Sequence, residues 1–276
     1  MRSNKHTLPN RIVFIADAHL GMPGFDPASE EKLATFIRSL QGTISHLYIV
    51  GDLFDFWFEY RSVVPKTAPK VVFELYSLIK AGTNITLLAG NHDYWFGPYL
   101  RDKVGLNLFT DELVIAHQGL KLYLHHGDGL YPQDYGYRLL KRIVRNRISI
   151  FLFSLIHPDL AQKIAKITSK TSRKYLAPPP GRDELYTKLF RLIADKRLHE
   201  GYEAVIYGHS HVPLIENREK GKLILLGDWI THDTFVVLEN GHFTLYFWNQ
   251  EPEPPFLADA KLSAESSDIQ KKPEAD

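Results

Sequence analysis

Five short segments place Asp, Asn or His directly after an apolar run that is typical of a buried strand. Side chains of these types supply the oxygen and nitrogen atoms that bind metal ions and transfer protons. Ligands of α/β proteins bind outside the carboxyl ends of strands, so we expect the five segments to meet at one edge of a sheet. In chain order the segments are Asp17-Ala18-His19, Gly51-Asp52-Leu53-Phe54-Asp55, Gly90-Asn91-His92-Asp93, His126-Gly127-Asp128 and Gly208-His209-Ser210-His211.

The spacing within these segments suits two metal ions that share a ligand. Asp17 and His19 are two residues apart, so an extended backbone places both side chains on the same side. The carboxylate of Asp52 has two oxygens and can bridge two ions. Two ions about 3.5–4 Å apart clamp the attacking and leaving oxygens of a displacement at phosphorus. The pattern therefore indicates phosphoester chemistry.

The composition limits the ligands to oxygen and nitrogen. The 276-residue chain has 13 histidines and no cysteine, which excludes disulfides, thiolate-bound zinc, iron–sulfur clusters and a thiol nucleophile. Imidazole and carboxylate favour Mn, Fe or Zn, and the amide of Asn91 favours the harder of these ions. A single Asp-x-His or Gly-Asp is usually a turn or a helix cap. Five such segments, each behind an apolar run, favour a common site.

Strands and helices alternate along the chain, which is typical of an α/β layered fold. Residues 113–117 and 120–125 predict a hairpin joined at Gln118-Gly119. Apolar runs predict further strands at residues 11–16, 46–50, 84–89, 204–207, 222–226, 234–238 and 242–248. Helical spacing of apolar residues predicts helices at residues 29–40, 66–80 and about 183–199.

This order of elements predicts one catalytic domain over residues 1–249, with a helical cap inserted at residues 133–176. At about 150 residues per domain, the length of 276 residues allows one or two domains, and the inserted cap accounts for the extra length. From residue 250 onward the chain is polar and contains several prolines. Residues 250–276 are therefore predicted to be a disordered tail.

The net charge of +1 conceals a strong asymmetry. Residues 137–176 contain ten basic residues and one acidic residue, a net charge of +9, which leaves −8 for the rest of the chain. Such a block suggests an anionic partner, such as phosphate, nucleic acid or an acidic lipid surface, or else a solvated helix face. Nucleic acid is not expected, because few aromatic residues are interleaved with these basic residues.

The N-terminal segment MRSNKHTLPNR has no apolar stretch, so the sequence predicts no signal peptide. The apolar run at residues 148–156, ISIFLFSLI, is far shorter than the roughly 20 residues that span a bilayer. A basic amphipathic helix beside an apolar run is typical of proteins that lie on a membrane surface. We therefore expect a cytoplasmic protein that can lie on a membrane.

In this order, the five segments resemble the calcineurin-like metallophosphoesterase superfamily from about residue 12 to about residue 248. The resemblance implies a β-sandwich flanked by helices. It implies that His92 lies over the scissile phosphate, and that Asp55, Asp93 and Asp128 orient other groups or cap loops. It also implies two metal sites with a shared ligand: the first is formed by Asp17, His19, Asp52 and His211, and the second by Asp52, Asn91, His126 and His209.

The stretch from His126 to residue 156, with Leu226-Gly227-Asp228-Trp229, resembles the bacterial UDP-2,3-diacylglucosamine pyrophosphatases of lipid A synthesis. The resemblance implies Mn²⁺, release of UMP and 2,3-diacylglucosamine 1-phosphate, and a place on the cytoplasmic face of the inner membrane. Residues 148–156 would line a groove for acyl chains. In one departure, this chain has His92 where the best-known branch often has Arg. The implied substrate contacts are Asn91, Asp134, Tyr137, Ser169, Arg173 and His209.

Two other hypotheses remain open. The same metal site would serve a different metallophosphoesterase, acting on nucleotides, cyclic nucleotides, phosphoproteins or nucleic acid ends. The apolar run at residues 148–156 argues against a purely water-soluble nucleotide substrate. A binding module that lost catalysis would lack some ligands, whereas all seven positions hold competent residue types.

Overall fold

The structure, a computed structural model, describes residues 8–24, 26–131, 135–175, 182–248, 250 and 254–257. Within the helices, the side chains of residues 170–175 and 182–183 lie outside this description. The strands are β1 (Arg11–Ile15), β2 (His46–Val50), β3 (Asn84–Leu88), β4 (Asn107–Phe109), β5 (Leu113–His117), β6 (Leu120–His125), β7 (Ala204–Tyr207), β8 (Pro213–Arg218), β9 (Gly221–Leu226), β10 (Thr234–Glu239) and β11 (His242–Phe247). The helices are α1 (Pro27–Ser39), α2 (Pro69–Lys80), a π-helical turn (Tyr99–Val104), α3 (Tyr135–Val144), α4 (Arg147–Ser154), α5 (Pro158–Tyr175) and α6 (Arg182–His199).

The strands form two sheets. One has the order β11-β10-β1-β2-β3-β4, and the other has the order β5-β6-β7-β9-β8. The α/β class and the β-sandwich flanked by helices are confirmed. The expectation of a single sheet edge is wrong, because three motif segments follow β1, β2 and β3 in one sheet, and two follow β6 and β7 in the other. An apolar run predicts a strand but does not say which sheet it joins.

Three buried apolar clusters join the layers in the order helix, sheet, sheet, helix. Along β1, Val13 and Ile15 belong to the cluster shared with α1 and α2, whereas Ile12 and Phe14 belong to the cluster between the sheets. The third cluster includes Phe190 of α6, which covers the second sheet. Since both faces of β1 are covered, its sequence is a continuous apolar run without polar alternation.

The helix predicted at residues 66–80 begins later, at Pro69. Ala68 has a positive φ of 50° and Pro69 takes the first helical position. The residue before a proline is disfavoured in the helical region, and proline itself suits the first turn. The proline therefore sets the helix start, and the apolar spacing at residues 66–68 does not extend it.

Three elements were not predicted: β4, β8 and the π-helical turn. β4 and β8 are edge strands, and β8 is mostly half-buried. Edge strands of this kind lack the continuous apolar run that identified the central strands. Their pairing with β3 and β9 depends on contacts that the local sequence does not encode.

Part of the segment predicted to be a disordered tail is packed against the body. Phe256 and Leu257 are 8% and 0% exposed and belong to the cluster under α1 and α2. The guanidinium of Arg11 lies 4.0 Å from the ring centre of Phe256. Apolar side chains that reach an uncovered core edge bury surface, and this outweighs the polar composition around them.

The helices α3, α4 and α5, here called the helical insertion, contact the body through aromatic residues. Phe153 of α4 lies 4.7 Å from the ring centre of Trp95 and 4.9 Å from that of Phe58. The indole nitrogen of Trp95 donates to the carbonyl oxygen of Val144 at 3.1 Å. Among the helices that the structure describes, none combines the length and hydrophobicity needed to cross a bilayer.

Candidate metal centre

The loops that follow the strands hold several predicted ligands in the left-handed backbone region. Outside glycine this region costs of order 1–3 kcal/mol and persists only where surrounding contacts enforce it. Here the loop after β1 is tied to the loop after β2, because Asp17 N donates to Gly51 O at 3.1 Å and His19 N donates to Asp52 O at 2.9 Å. The predicted ligands with positive φ are Asp17, His19, Asp52, His209 and His211.

Two glycines allow side chains of the site to approach the backbone. A Cβ atom at Gly51 would overlap the imidazole of His126, and one at Gly90 would overlap the carboxylate of Asp52. Gly51 also has a positive φ of 89°. Glycine is therefore required at both positions for the ligands to come together.

The first candidate metal site lies at the ends of β1 and β7. It consists of Asp17, His19 and His211, whose ligand atoms lie within 4.8 Å of one another. Asp17 Oδ1 is 3.7 Å from His19 Nε2 and 3.5 Å from His211 Nε2. Asp17 Oδ2 accepts from the backbone N–H of His209 at 2.8 Å, so one oxygen is held by the loop and the other faces the histidines.

The second candidate site lies beside the first and consists of Asp52, His126 and His209. Asp52 Oδ2 is 3.3 Å from His126 Nε2 and 3.6 Å from His19 Nε2, so this carboxylate lies between the two sites. Asn91 Oδ1 is 3.1 Å from His126 Nε2. All seven residues predicted as metal ligands therefore meet at one end of the sandwich.

Buried polar atoms that lack a hydrogen-bond partner indicate whether these residues fit a metal. Asp17 Oδ1 and both ring nitrogens of His19 are buried and have no hydrogen-bond partner. Buried polar atoms normally have a partner, and an exception needs an explanation. A divalent cation with imidazole and carboxylate ligands would supply a partner for Asp17 Oδ1 and His19 Nε2, whereas His19 Nδ1 faces Asp55 Oδ1 at 3.6 Å. The residues thus fit a divalent metal.

Nearby carboxylates determine the protonation of the metal-free site. Burial by itself lowers the pKa of His19 and His126, but the charge of Asp52, with Asp17 beside it, outweighs burial and raises each pKa to about 10. Burial and the charge of His126 lower the pKa of His209 to about 3. His19 and His126 must therefore release protons before their Nε2 atoms bind a cation.

Metal binding to the metal-free protein at neutral pH is expected to release about two protons, and the affinity should rise with pH. Titration calorimetry with Mn²⁺ in buffers of different ionisation enthalpy measures this release. The same pKa values predict that protonation stabilises the metal-free fold below about pH 6.5, and that this contribution is lost as pH rises towards 10. A binding heat that does not depend on the buffer would contradict the expected release of protons on metal binding.

His92 lies at the edge of the metal centre and is held from two sides. Its backbone N–H donates to Asp52 Oδ1 at 2.8 Å, and its ring lies edge-on to His19 with centres 4.8 Å apart. His92 Nδ1 is 3.1 Å from the carbonyl oxygen of Asp55 and 3.3 Å from Asp55 Oδ1. The Asp55 contacts orient the ring, so Nε2 is the nitrogen that remains for a substrate.

Asp93 joins the two loops that carry Asp52 and Asn91. It accepts hydrogen bonds from the backbone N–H groups of Gly90, Asp52 and Phe54 at 2.9–3.3 Å. Burial and the charge of Asp52 raise its pKa to about 6. Asp93 therefore stabilises the geometry of the two loops, and its neighbours Asp52 and Asn91 are the candidate metal ligands.

Asp228 was not identified as a site residue from the sequence. Its Oδ2 is 3.2 Å from His211 Nδ1, and its Oδ1 accepts from the backbone N–H of Thr231 at 2.7 Å. A carboxylate on the remote ring nitrogen fixes the orientation of a histidine ligand. The signal was present, because Gly227-Asp228 follows the apolar strand β9 as Gly51-Asp52 follows β2.

The residues predicted to contact the substrate have different environments in the structure. The hydroxyl of Tyr137 donates to Asp128 Oδ2 at 2.9 Å, near the metal centre. Ser169 is buried and donates to Asp55 Oδ2 at 2.9 Å. Asp134 and the side chain of Arg173 lie outside the described residues. Asn91 and His209 are among the candidate metal ligands, as described above.

Arg145 of the helical insertion contacts two of the site loops, although its place in the sequence indicates only a basic residue of the +9 block. Its guanidinium donates to Gly90 O at 3.0 Å and to Asp128 Oδ2 at 3.2 Å. It also stacks on Tyr94, 4.0 Å from the ring centre. Lys141 lies 2.7 Å from the same Asp128 oxygen. Burial raises the pKa of Asp128, but the charges of His126, Lys141 and Arg145 outweigh burial and hold this pKa below its usual value.

Replacing Arg145 by methionine is expected to lower the free energy of unfolding by about 2 kcal/mol, because two charge-assisted hydrogen bonds are lost and Lys141 still neutralises Asp128. Urea denaturation measures the change. The exposed Arg142, replaced in the same way, is the control and should change stability by less than about 0.5 kcal/mol. Equal effects of the two substitutions would show that the Arg145 contacts contribute nothing specific.

The two-sheet sandwich carries imidazole, carboxylate and amide groups at one end, a ligand set that fits a phosphoester hydrolase binding divalent metal ions. The family model described as calcineurin-like phosphoesterase matches residues 10–213, and the chain belongs to this family. The expected family and the expected hydrolase activity are thereby confirmed.

Several curated relatives are similar over most of the chain. A UDP-2,3-diacylglucosamine hydrolase of Porphyromonas gingivalis is 29% identical over 83% of this chain and 94% of its own. One from Stutzerimonas stutzeri is 30% identical over 84% of this chain and 96% of its own. A solved archaeal phosphodiesterase has 15% identity, covers 86% of this chain and 99% of its own, and has a TM-score of 0.45.

Proposed function

We propose that this protein hydrolyses the pyrophosphate of UDP-2,3-diacylglucosamine to UMP and 2,3-diacylglucosamine 1-phosphate, with two divalent ions, Mn²⁺ being preferred. The observation that carries the proposal is the similarity to curated UDP-2,3-diacylglucosamine hydrolases over more than four fifths of the chain. A helical insertion that combines basic and apolar residues beside the site supports the same substrate. An anionic pyrophosphate favours arginine and lysine, and acyl chains favour an apolar surface.

In this proposal, different residues of the chain bind the metal ions, contact the substrate and transfer a proton. When bound, the metal ions polarise the phosphorus–oxygen bonds and lower the pKa of water. Hydrolysis forms a bond from a water oxygen to one phosphorus and breaks the bond from that phosphorus to the bridging oxygen. His92, oriented by Asp55, delivers a proton from Nε2 to the departing bridging oxygen. Asn91 and His209 contact the phosphate, and Tyr137 of the helical insertion contacts the substrate near Asp128.

The substrate is tested by incubating the purified protein with Mn²⁺ and UDP-2,3-diacylglucosamine and measuring UMP. UDP-glucose, which lacks acyl chains, is the matched control and should be hydrolysed at least about tenfold more slowly, because burial of two acyl chains contributes to binding. Release of UMP from the lipid substrate supports the proposal. Absence of UMP together with rapid hydrolysis of a water-soluble phosphodiester would contradict it in favour of another phosphoesterase activity.

We also propose that the helical insertion lies on the cytoplasmic face of the inner membrane as a peripheral contact. Four apolar side chains of α4 and its end are 57–69% exposed, a large apolar surface for a protein in water. Exposed basic residues of the same insertion suit anionic lipid head groups. The apolar residues are Ile148, Phe151, Leu152 and Leu155, and the basic residues are Arg138, Arg142 and Arg147.

The double variant Phe151→Glu and Leu152→Glu is expected to bind phosphatidylethanolamine–phosphatidylglycerol vesicles at least about tenfold more weakly, because two charges replace apolar contacts with the lipid. Vesicle sedimentation measures the binding. Phe73→Glu is the control, since Phe73 is 64% exposed on α2, outside the insertion. A similar loss for Phe73→Glu, or no loss for the double variant, would rule out this surface as the membrane contact.

A further inference from the structure

Ser169 is buried in a helix whose other side faces solvent. Its exposure is 6%, whereas Ile167 on the same helix is 56% exposed. Ala161, Ala165 and Ser169 are four residues apart, so they form one stripe along α5, and this stripe is the less exposed side of the helix. The small side chains allow α5 to approach the body closely at this stripe.

The Ser169 hydroxyl joins α5 to the loop after β2. It donates to Asp55 Oδ2 at 2.9 Å, across 114 positions of sequence. The other oxygen of the same carboxylate, Oδ1, is 3.3 Å from His92 Nδ1 and 3.6 Å from His19 Nδ1. One carboxylate thus contacts the helical insertion on one side and two histidines of the site on the other.

The planar geometry of a carboxylate couples these contacts. If Oδ2 is held by Ser169, rotation of the group is restricted, and Oδ1 is fixed in front of the His92 ring. The Asp55 side chain is 4% exposed, so water cannot readily replace the serine hydroxyl. In such a buried network, the loss of one hydrogen bond is felt by the other members.

We propose that Ser169 is a positioning residue: by its hydrogen bond to Asp55, it couples the seating of α5 on the body to the orientation of His92. The catalytic consequence rests on the proposed role of His92, whereas the structural coupling does not. Seating of the helical insertion would then orient His92 for proton delivery, and displacement of α5 would loosen it. This role differs from a direct substrate contact, which would chiefly change the apparent affinity for substrate.

The structural coupling is tested on the metal-free, substrate-free protein by hydrogen exchange. Ser169→Ala is expected to accelerate amide exchange in α5 and also in residues 53–58 and 92–95, by at least about fivefold. Thr168→Ala is the matched control, because the Thr168 hydroxyl bonds only to Ile164 O of its own helix among the described contacts. Ser169→Thr, which keeps the hydroxyl, should restore slow exchange. Acceleration confined to α5 would overturn the proposal.

The catalytic coupling is tested on the metal-loaded enzyme with phosphodiesters of good and poor leaving groups. A displaced proton donor affects a poor leaving group most, so Ser169→Ala should lower kcat about tenfold for phenyl esters and less for 4-nitrophenyl esters, with KM within twofold. In an Asp55→Ala background, which has no acceptor for the hydroxyl, the Ser169 effect should vanish. A rise in KM with unchanged kcat would instead identify a substrate contact and overturn the positioning role.

The two tests separate this inference from the proposed function. If the unsubstituted protein releases no UMP from UDP-2,3-diacylglucosamine, the proposed function fails, and hydrogen exchange still decides whether Ser169 and the His92 loop are coupled. If hydrolysis is normal and Ser169→Ala changes neither exchange at residues 92–95 nor kcat, the inference fails and the proposed function stands.

Discussion

Asp52→Ala is expected to lose bound metal and hydrolytic activity together, with turnover reduced at least about 10³-fold. Asp52 is 1% exposed and lies between the two candidate sites, with Oδ2 at 3.3 Å from His126 Nε2 and 3.6 Å from His19 Nε2. Metal ions contribute several kcal/mol to the stabilisation of charge at phosphorus, and each 1.4 kcal/mol is tenfold in rate. Metal content after dialysis and turnover of 4-nitrophenyl phosphodiesters measure the two losses.

Two further variants separate metal binding from folding. Asp52→Asn keeps the shape of the side chain and the acceptor for the His92 N–H, so it should fold and still bind metal poorly because the bridging charge is gone. Asp102→Asn removes an exposed carboxylate and is expected to leave metal content unchanged. A folded Asp52→Asn protein with full metal content and full activity would contradict the bridging role.

His92→Ala is expected to lower turnover about 10²–10⁴-fold while metal content stays unchanged, because general acid–base groups typically contribute this much. The His92 side chain is not needed for the loop, since it is the backbone N–H that donates to Asp52 Oδ1 and alanine keeps this bond. The imidazole contacts Asp55 at 3.3 Å and is available to a leaving oxygen. Turnover of UDP-2,3-diacylglucosamine and metal analysis of the same sample test the prediction.

The leaving group provides an internal control for His92. A 4-nitrophenyl ester needs little help from an acid, so its hydrolysis should fall much less than that of the natural pyrophosphate. His157→Ala alters an imidazole that is 74% exposed on the helical insertion and should not change turnover. Full activity of His92→Ala on the lipid substrate would show that the ring has no part in proton delivery.

Local sequence predicted the central strands and the motif segments. β2, β5, β6 and β7 begin and end at the predicted residues, and β1 and β3 end one residue early. Of these, β1, β2, β3 and β7 are almost wholly buried, and a strand that is covered on both faces needs a continuous apolar run. The edge strand β8 and the packing of Phe256 were not predicted, because each depends on partners distant in the chain.

The candidate site likewise contains residues that the local sequence predicted and residues that it did not. The residue types after the apolar strands pointed to the five segments, and the family resemblance selected the seven candidate ligands among them. Asp228 was missed although Gly227-Asp228 follows an apolar strand as Gly51-Asp52 does. Arg145 was missed because no local pattern encodes its contacts to Gly90 O and Asp128. The contact of Ser169 with substrate stays a prediction, and its hydrogen bond to Asp55 could not be inferred from the local sequence.

The sequence by itself determined the residue types at the strand ends, and with them the metal-dependent phosphoester chemistry. This is so because ligand chemistry depends on which atoms a side chain carries, and the order of the segments is a property of the chain. Only the tertiary structure decided that the five segments come from two sheets, and that Asp55 links His92 to Ser169. These relations arise from the pairing and packing of distant segments, whose geometry depends on the whole core.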